Sequence, residues 1–299
     1  MPESIVTKLR KPNLPGRIKN RIRSFFYIQQ WVLLLAHKNL DKQPSWSDFN
    51  FITPPLDRIW ADPFIWIHEN KYFIFFEEKF TEKYGHISCI ELDNDFNILS
   101  NEIVLERPYH LSYPFIFEHD GELYMIPESG MNRAVEVYRC TKFPNQWELV
   151  RTLLSGIYAV DATLFENMGK WWLFVNIARE GGNTVDTLFL FYSDHPLSEH
   201  WIPHPENPIV QDIRSARSAG RIFFRDGNII RPSQDSSKRY GYALNFNRII
   251  ELTETSYTEV QESTFKPPSF SNIIATHTWN EVGGLRSIDA KLWRWKFQI

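Results

Sequence analysis

DPFIWIHENKYFIFFEE, residues 62–78, is the stretch that decides the fold. It contains an apolar strand, a tight polar turn and a second apolar strand, which is the pattern of a β-hairpin. Three later stretches superimpose on it, and successive starts lie 51, 48 and 58 residues apart. They are YPFIFEHDGELYMIPES (113–129), DATLFENMGKWWLFVNI (161–177) and AGRIFFRDGNIIRPSQD (219–235).

The interval between hairpins has room for four short strands and their turns, the size of one propeller blade. A fifth unit is visible only in outline, at 272–282 and 284–295, and is too short for four strands. We expect residues 25–37, FFYIQQWVLLLAH, to supply the missing strand, so that the two chain ends pair and close the ring. The sequence therefore predicts an all-β, five-bladed β-propeller. The rivals are a six-bladed ring and a β-sandwich, and the even period argues against the sandwich.

Composition excludes several functional classes. The net charge of −3 gives no field that would recruit nucleic acid. The two cysteines, Cys89 and Cys140, show no metal-binding spacing, and no phosphate-binding glycine loop, GxSxG motif or paired-histidine metal motif occurs. We expect neither a metal nor a cofactor. Nucleotide enzymes of the usual helical folds and the familiar serine and thiol hydrolases are excluded.

The N-terminal residues 1–24 are predicted to form a basic arm ahead of a single propeller domain at 25–299. Residues 8–23 contain seven basic residues and no acidic one. The apolar run that follows is too short to span a bilayer, and no small-residue cleavage site follows it. We expect a cytoplasmic protein. On a helix, residues 8–26 would suit an anionic membrane surface, at the inner face of the membrane, or would cover one end of the propeller.

The repeat also aligns polar residues. It places Asp62, Tyr113, Asp161 and Ala219 at one position and Glu77, Glu128, Asn176 and Gln234 at another. The innermost strands of a propeller line its central channel, so we expect both sets to converge on the axis. His277 and Asp289 would complete the ring from the last blade. The predicted substrate-binding residues are Glu77, Glu78, Asn176, Arg217, Arg221, Arg231, Gln234 and His277.

The three arginines in this set need partners. A buried arginine requires a carboxylate or an anionic ligand. Salt bridges to Asp161 or Glu128 are one explanation for them. The other is an anionic sugar or a phosphate-bearing substrate.

Short motifs carry a family resemblance. Ala61-Asp62-Pro63, Asp161 and the hairpin period resemble the five-bladed propellers of glycoside hydrolase family 43. The stretch RPSQD (231–235) with Tyr240-Gly241, and His277-Thr278 before SID (287–289), resembles the N-terminal propeller domain of plant glucosamine inositolphosphorylceramide transferases and its bacterial relatives. The resemblance covers roughly residues 45–290.

The family 43 pattern implies that Asp62 is a general base and that Asp161 orients and tunes the acid. Such hydrolases need two carboxyl groups, one of them protonated to help the leaving oxygen depart. At the expected position of the acid, about 56 residues past Asp161, this chain has Arg217, which cannot donate a proton near neutral pH. Either Glu128 or Glu77 is then the acid, or the leaving group is a phosphate that needs none.

Three functions follow from these residues. The first is an enzyme acting at a glycosidic or sugar-phosphate bond, by glycosyl transfer in cell-surface glycan synthesis, with Asp62, Asp161 and Glu128 as its catalytic residues. Its substrate would be a sugar or anionic glycan, linked to a nucleotide or lipid phosphate. The second is a family 43-like hydrolase with a relocated acid. The third is a non-catalytic propeller that binds a glycan or positions a partner enzyme.

Overall fold

The computed structural model describes residues 23–37, 44–178, 183–269 and 271–297. These residues form five antiparallel sheets, one for each blade. Two short 3-10 helices, Trp46–Asp48 and Gly130–Asn132, lie between strands. The predicted basic arm lies almost entirely outside the described residues. None of the helical segments that are described is long and apolar enough to cross a membrane.

Each of the first four blades is built from four consecutive strands, whereas the fifth takes strands from both chain ends. The chain begins with β1 (Tyr27–His37) and β2 (Asn50–Ile52) of blade 5. Blade 1 contains β3 (Arg58–His68), β4 (Lys71–Phe80), β5 (His86–Leu92) and β6 (Ile98–Leu105). Blade 2 contains β7 (Ser112–His119), β8 (Glu122–Glu128), β9 (Ala134–Lys142) and β10 (Gln146–Ser155). Blade 3 contains β11 (Ala159–Asn167), β12 (Lys170–Ile177), β13 (Phe189–Ser193) and β14 (Ile202–Pro203). Blade 4 contains β15 (Phe223–Arg225), β16 (Asn228–Asp235), β17 (Ala243–Leu252) and β18 (Tyr257–Phe265). Blade 5 is completed by β19 (Ile273–Ala275), β20 (Trp279–Val282) and β21 (Leu285–Trp295).

The ring is closed by pairing of the chain ends. Strand β1 pairs with β21 without a register shift, from Tyr27 opposite Trp295 to His37 opposite Leu285. This ladder confirms the predicted closure and leaves no open edge between the first and last blades. It also brings residues from both ends of the chain to the axis.

Five tight turns orient the blades. Each inner hairpin turns on two residues with left-handed backbone, as at Asp120 (φ 51°) with Gly121 (φ 76°) and at Asp226 (φ 50°) with Gly227 (φ 75°). Such pairs are typical of the two-residue turns that match the twist of a hairpin. Gly283 and Gly284 form the fifth turn, although the sequence marks them only as a loop. All five turns lie at one end of the ring. The opposite end is where the sequence predicts the substrate pocket, and we call it the pocket end.

A bulge recurs near the start of the inner strand in blades 1 to 3. Asp62, Tyr113 and Asp161 all have left-handed backbone, with φ of 52°, 43° and 51°. The register with the neighbouring strand slips at each of them. A bulge changes the direction in which a side chain points. The side chains of these three residues therefore do not follow the regular alternation of their strands near the axis.

Blades 4 and 5 depart from the predicted hairpins. The first strand of blade 4 begins at Phe223 rather than at Ala219, because Gly220 takes a backbone with φ of 120°. A Cβ there would lie 2.1 Å from the Trp279 carbonyl oxygen, so the chain can approach so closely only as glycine. In blade 5 the predicted strand 272–282 breaks at residues 276–278. Both irregular segments contribute to the pocket end.

Aromatic side chains fill the spaces between blades. Phe64 and Phe75 of blade 1 pack with Phe115 of blade 2, and all three are almost fully buried. Burying a side chain of this size stabilises the fold by about 2 kcal/mol. Cys89 is buried in the same cluster, while Cys140 is partly exposed, and both are free thiols.

Candidate functional site

Asp62 lies at the centre of a buried polar cluster at the pocket end. Its Oδ1 accepts a hydrogen bond from the Thr278 hydroxyl at 2.6 Å, and its Oδ2 accepts one from the Tyr113 backbone N–H at 3.3 Å. Its own N–H donates to Asp289 Oδ2 at 3.1 Å. The carboxyl group of blade 1 is thus held by blades 2 and 5.

His277 forms an ion pair with Asp289 beside Asp62. Its Nδ1 lies 2.6 Å from Asp289 Oδ2 and 3.6 Å from Asp62 Oδ1. The ring stacks on Trp31 of β1, with centroids 4.0 Å apart. Asp289 Oδ1 accepts the backbone N–H groups of His277 and Thr278. Both chain ends therefore position the imidazole.

These contacts set the charges near neutral pH. Burial alone would lower the pKa of His277, but Asp289 and Asp62 outweigh it and raise that pKa to about 9. Burial raises the pKa of Asp62 to about 6, against the opposing effect of the imidazolium. Burial and the charge of Asp62 raise the pKa of Glu77 to about 8. The site therefore contains a mostly ionised Asp62 beside a mostly protonated Glu77.

Arg217 occupies the other half of the site. Its Nε donates to Asp161 Oδ2 at 2.6 Å and its Nη2 donates to Asp161 Oδ1 at 3.3 Å. Nη2 also lies 3.6 Å from Glu128 Oε2, and Nη1 donates to the Thr184 hydroxyl at 3.1 Å. Burial raises the pKa of Glu128 well above its usual range, and the charge of Asp161 raises it further. Burial therefore favours the protonated form of Glu128, next to the Asp161–Arg217 ion pair.

Tyr113 and Gln234 lie between these two halves. The Tyr113 hydroxyl accepts the Gly220 N–H at 2.7 Å and lies 2.8 Å from the Thr163 hydroxyl, so the side chain crosses from blade 2 to blades 3 and 4. Gln234 Nε2 donates to the Ser218 carbonyl at 3.0 Å. Among the described residues nothing hydrogen-bonds to Gln234 Oε1, although it is buried. A buried amide oxygen of this kind calls for a hydrogen-bond donor from a water molecule or a ligand.

Two other predicted substrate-binding residues have their polar groups occupied by the protein. Asn176 donates to the carbonyl oxygens of Thr187 and Ala216 and accepts the Ser218 N–H, so its amide fixes the chain before Gly220. Glu78 faces away from Glu77, because neighbouring residues of a strand point to opposite faces. Its carboxylate accepts hydrogen bonds from Trp60, His86, Ser88 and Arg58. Burial would raise the pKa of Glu78, but these hydrogen bonds lower it to about 2.

The expected convergence of three arginines is not found. Arg231 forms a buried ion pair with Glu259 of β18 and also donates to the Ser215 carbonyl. Arg221 reaches the Ile116 carbonyl and lies over the Phe115 ring, beyond Tyr113 toward the tight turns. Burial lowers the pKa of Arg221 to about 10. Of the three, only Arg217 joins the carboxyl groups, because the guanidinium of Arg231 is paired with Glu259 and that of Arg221 donates to the Ile116 carbonyl.

Two clusters in the described part of the chain bring three possible metal ligands together. They are Asp62, His277 and Asp289, and His119, Asp120 and His195. In the first, His277 Nδ1 carries a proton toward Asp289 Oδ2, so this nitrogen has no lone pair for a metal ion. In the second, His195 Nδ1 accepts the Leu197 N–H, so its Nε2 carries the proton and donates to His119 Nε2. Neither arrangement favours a metal ion.

Comparison with known proteins identifies the family. Residues 52–288 match the family described as glucosamine inositolphosphorylceramide transferase 1, N-terminal. The chain belongs to this family. The transferase of this name from Oryza sativa subsp. japonica is 37% identical over 258 residues, which cover 85% of this chain and 33% of that protein. The Arabidopsis thaliana transferase is 34% identical over 206 residues, or 67% and 27% of the two chains. The chain therefore spans about a third of the length of these relatives.

Solved structures share the fold. Zg3597, a family 117 glycoside hydrolase from Zobellia galactanivorans, aligns with a TM-score of 0.56 and 12% identity over 88% of this chain and 90% of its own. A thermostable family-43 glycoside hydrolase aligns with a TM-score of 0.54 and 11% identity, over 81% and 88%. The family member described here is thus a glycoside hydrolase-like β-propeller, related by sequence to carbohydrate transferases.

Sequence reasoning missed several residues of the site. Thr278 was noted only as a neighbour of His277, and Trp31 only as part of a closing strand. His110, whose Nε2 lies 3.5 Å from Glu77 Oε1, gave no signal because it precedes its strand in a loop. Thr278 could have been found by extending the repeat alignment to the fifth blade, where it occupies the break in the inner strand.

Glu77 makes stability depend on pH. The folded pKa of about 8 lies above the unfolded value of 4.5, so its contribution is complete below pH 4.5 and is lost as pH rises through about 8. We expect wild type to lose about 1 kcal/mol more unfolding free energy than Glu77→Gln between pH 7 and pH 9. Urea denaturation of both proteins at the two pH values measures this. The exposed Glu118→Gln serves as the control, and parallel behaviour of wild type and Glu77→Gln would contradict the assignment.

Proposed function

We propose that the pocket binds a carbohydrate and acts at a glycosidic or sugar-phosphate bond, by glycosyl transfer. One observation carries the proposal: an ionised carboxylate, Asp62, and a protonated carboxyl group, Glu128, lie in one buried site with a single arginine. Burial and the charge of Asp161 raise the pKa of Glu128, and the charge of Asp62 adds to this effect. Pairs of carboxyl groups in opposite protonation states are the usual acid and base of glycosyl chemistry.

The proposed steps assign a role to each group. Asp62 accepts the proton of the acceptor hydroxyl as its oxygen bonds to the anomeric carbon of the donor. The bond from that carbon to the leaving oxygen breaks, and Glu128 supplies the proton that the leaving oxygen gains. Where the leaving group is a phosphate, no proton is needed, and the N–H groups of Arg217 stabilise its charge.

Other side chains would bind the sugar. The free amide oxygen of Gln234 can accept a hydrogen bond from a sugar hydroxyl, and the protonated Glu77 can donate one. Tyr240 is 47% exposed and lies edge-on to His277, with centroids 5.4 Å apart. Its ring offers a face on which a sugar can stack.

Two observations support transfer over hydrolysis. Arg217 takes the place at which a family 43-like hydrolase would have its acid, and its guanidinium suits a phosphate leaving group better than a neutral alcohol. The sequence relatives are named as transferases, whereas the glycoside hydrolases share only the fold.

A second candidate function is glycan recognition without catalysis. It is favoured by the closed Asp161–Arg217 pair, which satisfies the arginine internally. The extent of the match also favours glycan recognition, because two thirds of the length of the relatives lies outside the part that this chain matches.

A donor panel separates these functions. Purified protein is incubated with nucleotide sugars, lipid-phosphate sugars and aryl glycosides, and products are followed by mass spectrometry, with binding measured by calorimetry. Turnover of phosphate-linked donors in the presence of an acceptor is expected. Hydrolysis of aryl glycosides alone would assign a hydrolase instead, and glycan binding without any turnover would assign the recognition function.

A further inference from the structure

Lys291 is the blade 5 member of the inner ring of polar residues at the pocket end. In each blade this ring position follows the second residue of the tight turn by seven residues. The first four blades place there Glu77, Glu128, Asn176 and Gln234. In blade 5 the same count leads from Gly284 to Lys291. The strand pairing agrees, because Lys291 lies opposite Ala275 as Glu77 lies opposite Ala61.

The side chain of Lys291 is partly buried and borders the candidate site. Its Nζ lies over the ring of Trp31, its cross-strand neighbour on β1, at 5.8 Å from the centroid. The other contact of that indole is the stacked ring of His277. Burial lowers the pKa of Lys291, and the charge of Arg239 lowers it further. Within the described part of the chain, Lys291 forms no ion pair that would offset these effects.

A second cation is brought to the same place by the loop at residues 236–242. Gly241 in this loop has φ of 58°, and a Cβ there would lie 2.8 Å from the Cβ of His277. The loop can therefore pack directly on blade 5. Arg239 Nη1 lies 3.5 Å from the carbonyl oxygen of Ile274, which precedes the strand partner of Lys291. No carboxylate among the described residues pairs with Arg239.

Two cations held close together without a carboxylate favour an anionic ligand. Each repels the other, and an anion that binds both removes this repulsion. Arg217 differs from them, because Asp161 already neutralises its charge. A phosphate monoester or a diphosphate has about two negative charges near neutral pH and matches two cations better than one carboxylate does.

The position of the two cations suits a substrate of the candidate site. Lys291 follows Asp289 by two residues on β21, so the two residues lie about 7 Å apart along the strand and on the same face. Asp289 in turn accepts the backbone N–H of Asp62. Strand β21 continues to Trp295, and Lys291 therefore lies on the outer side of the polar cluster, nearer to the rim of the pocket end.

We infer that Lys291 and Arg239 bind a phosphate group of the substrate at the pocket end. This site deepens the proposed function and rests on it, because the proposed reaction uses a sugar linked to a phosphate. It assigns recognition of the phosphate to blades 4 and 5, whereas Arg217 remains paired with Asp161.

Calorimetric titration of the full chain with inorganic phosphate and with inorganic pyrophosphate, at constant ionic strength, tests the site. Wild type is expected to bind both anions. The double variant Lys291→Met/Arg239→Met should bind them about tenfold more weakly, because both positive charges are removed. Methionine keeps an apolar stem to pack on Trp31.

A matched control removes the same residue types and the same net charge elsewhere. Lys142 is exposed at the end of β9 that lies near the tight turns, and Arg248 forms a surface pair with Glu262. Lys142→Met/Arg248→Met should bind both anions like wild type. Phosphate should also raise the melting temperature of wild type and of this control, but not that of Lys291→Met/Arg239→Met. Absence of binding by wild type, or equal binding by the two double variants, would overturn the inference.

Kinetics with phosphate-linked donors separate this site from the proposed function. For a nucleotide-linked or lipid-phosphate-linked donor that wild type uses, Lys291→Met/Arg239→Met should raise KM about tenfold, with a smaller effect on kcat. The donor whose KM rises identifies the source of the phosphate. Turnover with an unchanged KM would overturn the inference and leave the proposed function standing. Loss of phosphate binding in the variant, with no donor used by wild type, would refute transfer and support the phosphate site.

Discussion

Asp62→Asn is expected to lower kcat on a phosphate-linked sugar donor by about a thousandfold, the usual contribution of a positioned base. Asparagine tolerates the left-handed backbone at this position, where φ is 52°. Its amide retains an oxygen for the Thr278 hydroxyl but cannot accept a proton from the acceptor. The loss should therefore fall on the chemical step, with KM changed little.

The pH dependence sharpens this prediction. Wild-type kcat/KM is expected to rise with pH through about 6, because the base must be ionised and the pKa of Asp62 is raised to about 6. Asp62→Asn should lose this rise of kcat/KM with pH. The exposed Glu118→Gln should retain both the wild-type kcat/KM and its dependence on pH. Full activity of Asp62→Asn would rule out Asp62 as the base.

Arg217→Met is expected to lower the free energy of unfolding by about 3–5 kcal/mol, because it leaves a buried carboxylate without its cation. Asp161 has only 3% of its side chain exposed, and two further hydrogen-bond donors to it, Gln234 Nε2 at 3.4 Å and the carboxyl group of Glu128, carry no positive charge. Methionine fills a similar volume without a charge. Urea denaturation monitored by circular dichroism measures the change.

The control is another arginine–carboxylate salt bridge, which lies at the surface. Arg248 pairs with Glu262 on blade 4, with 38% and 36% of the side chains exposed. Arg248→Met should cost less than about 1 kcal/mol. Adding Asp161→Asn to Arg217→Met should restore part of the lost stability, since the uncompensated charge is then removed. If Arg217→Met is no more costly than Arg248→Met, the buried pair does not stabilise the site in this way.

The fold could be predicted because its unit repeats. Four hairpins share an apolar pattern and a turn with two left-handed residues, and an interval near 50 residues admits four strands. Closure of the ring by residues 25–37 could be predicted because the last unit is too short to contain four strands. The bulges at Asp62, Tyr113 and Asp161 could not be foreseen, because a bulge changes hydrogen-bond register without changing the apolar pattern.

The site was only partly predictable. Alignment of the repeat identified Asp62, Glu77, Glu128 and Asp161, which do lie together. The aligned polar positions did not include Arg221 and Arg231, which were grouped with the site from their places in the sequence, and these places do not give the direction of a long side chain. Arg231 instead meets Glu259, a neighbour across two strands of its own blade. Trp31 and His110 depend on contacts between distant segments that no local pattern records.

The pairing of β1 with β21 also sets the order in which the site can be assembled. Asp62 is synthesised early. The residues that hydrogen-bond to it or influence its pKa come more than 200 residues later, and they are Thr278, His277 and Asp289. Contacts so far apart in sequence form late, since the intervening chain must first be ordered. A partly synthesised chain therefore contains Asp62 without the residues that surround it, and the polar site is complete only once the last blade is closed.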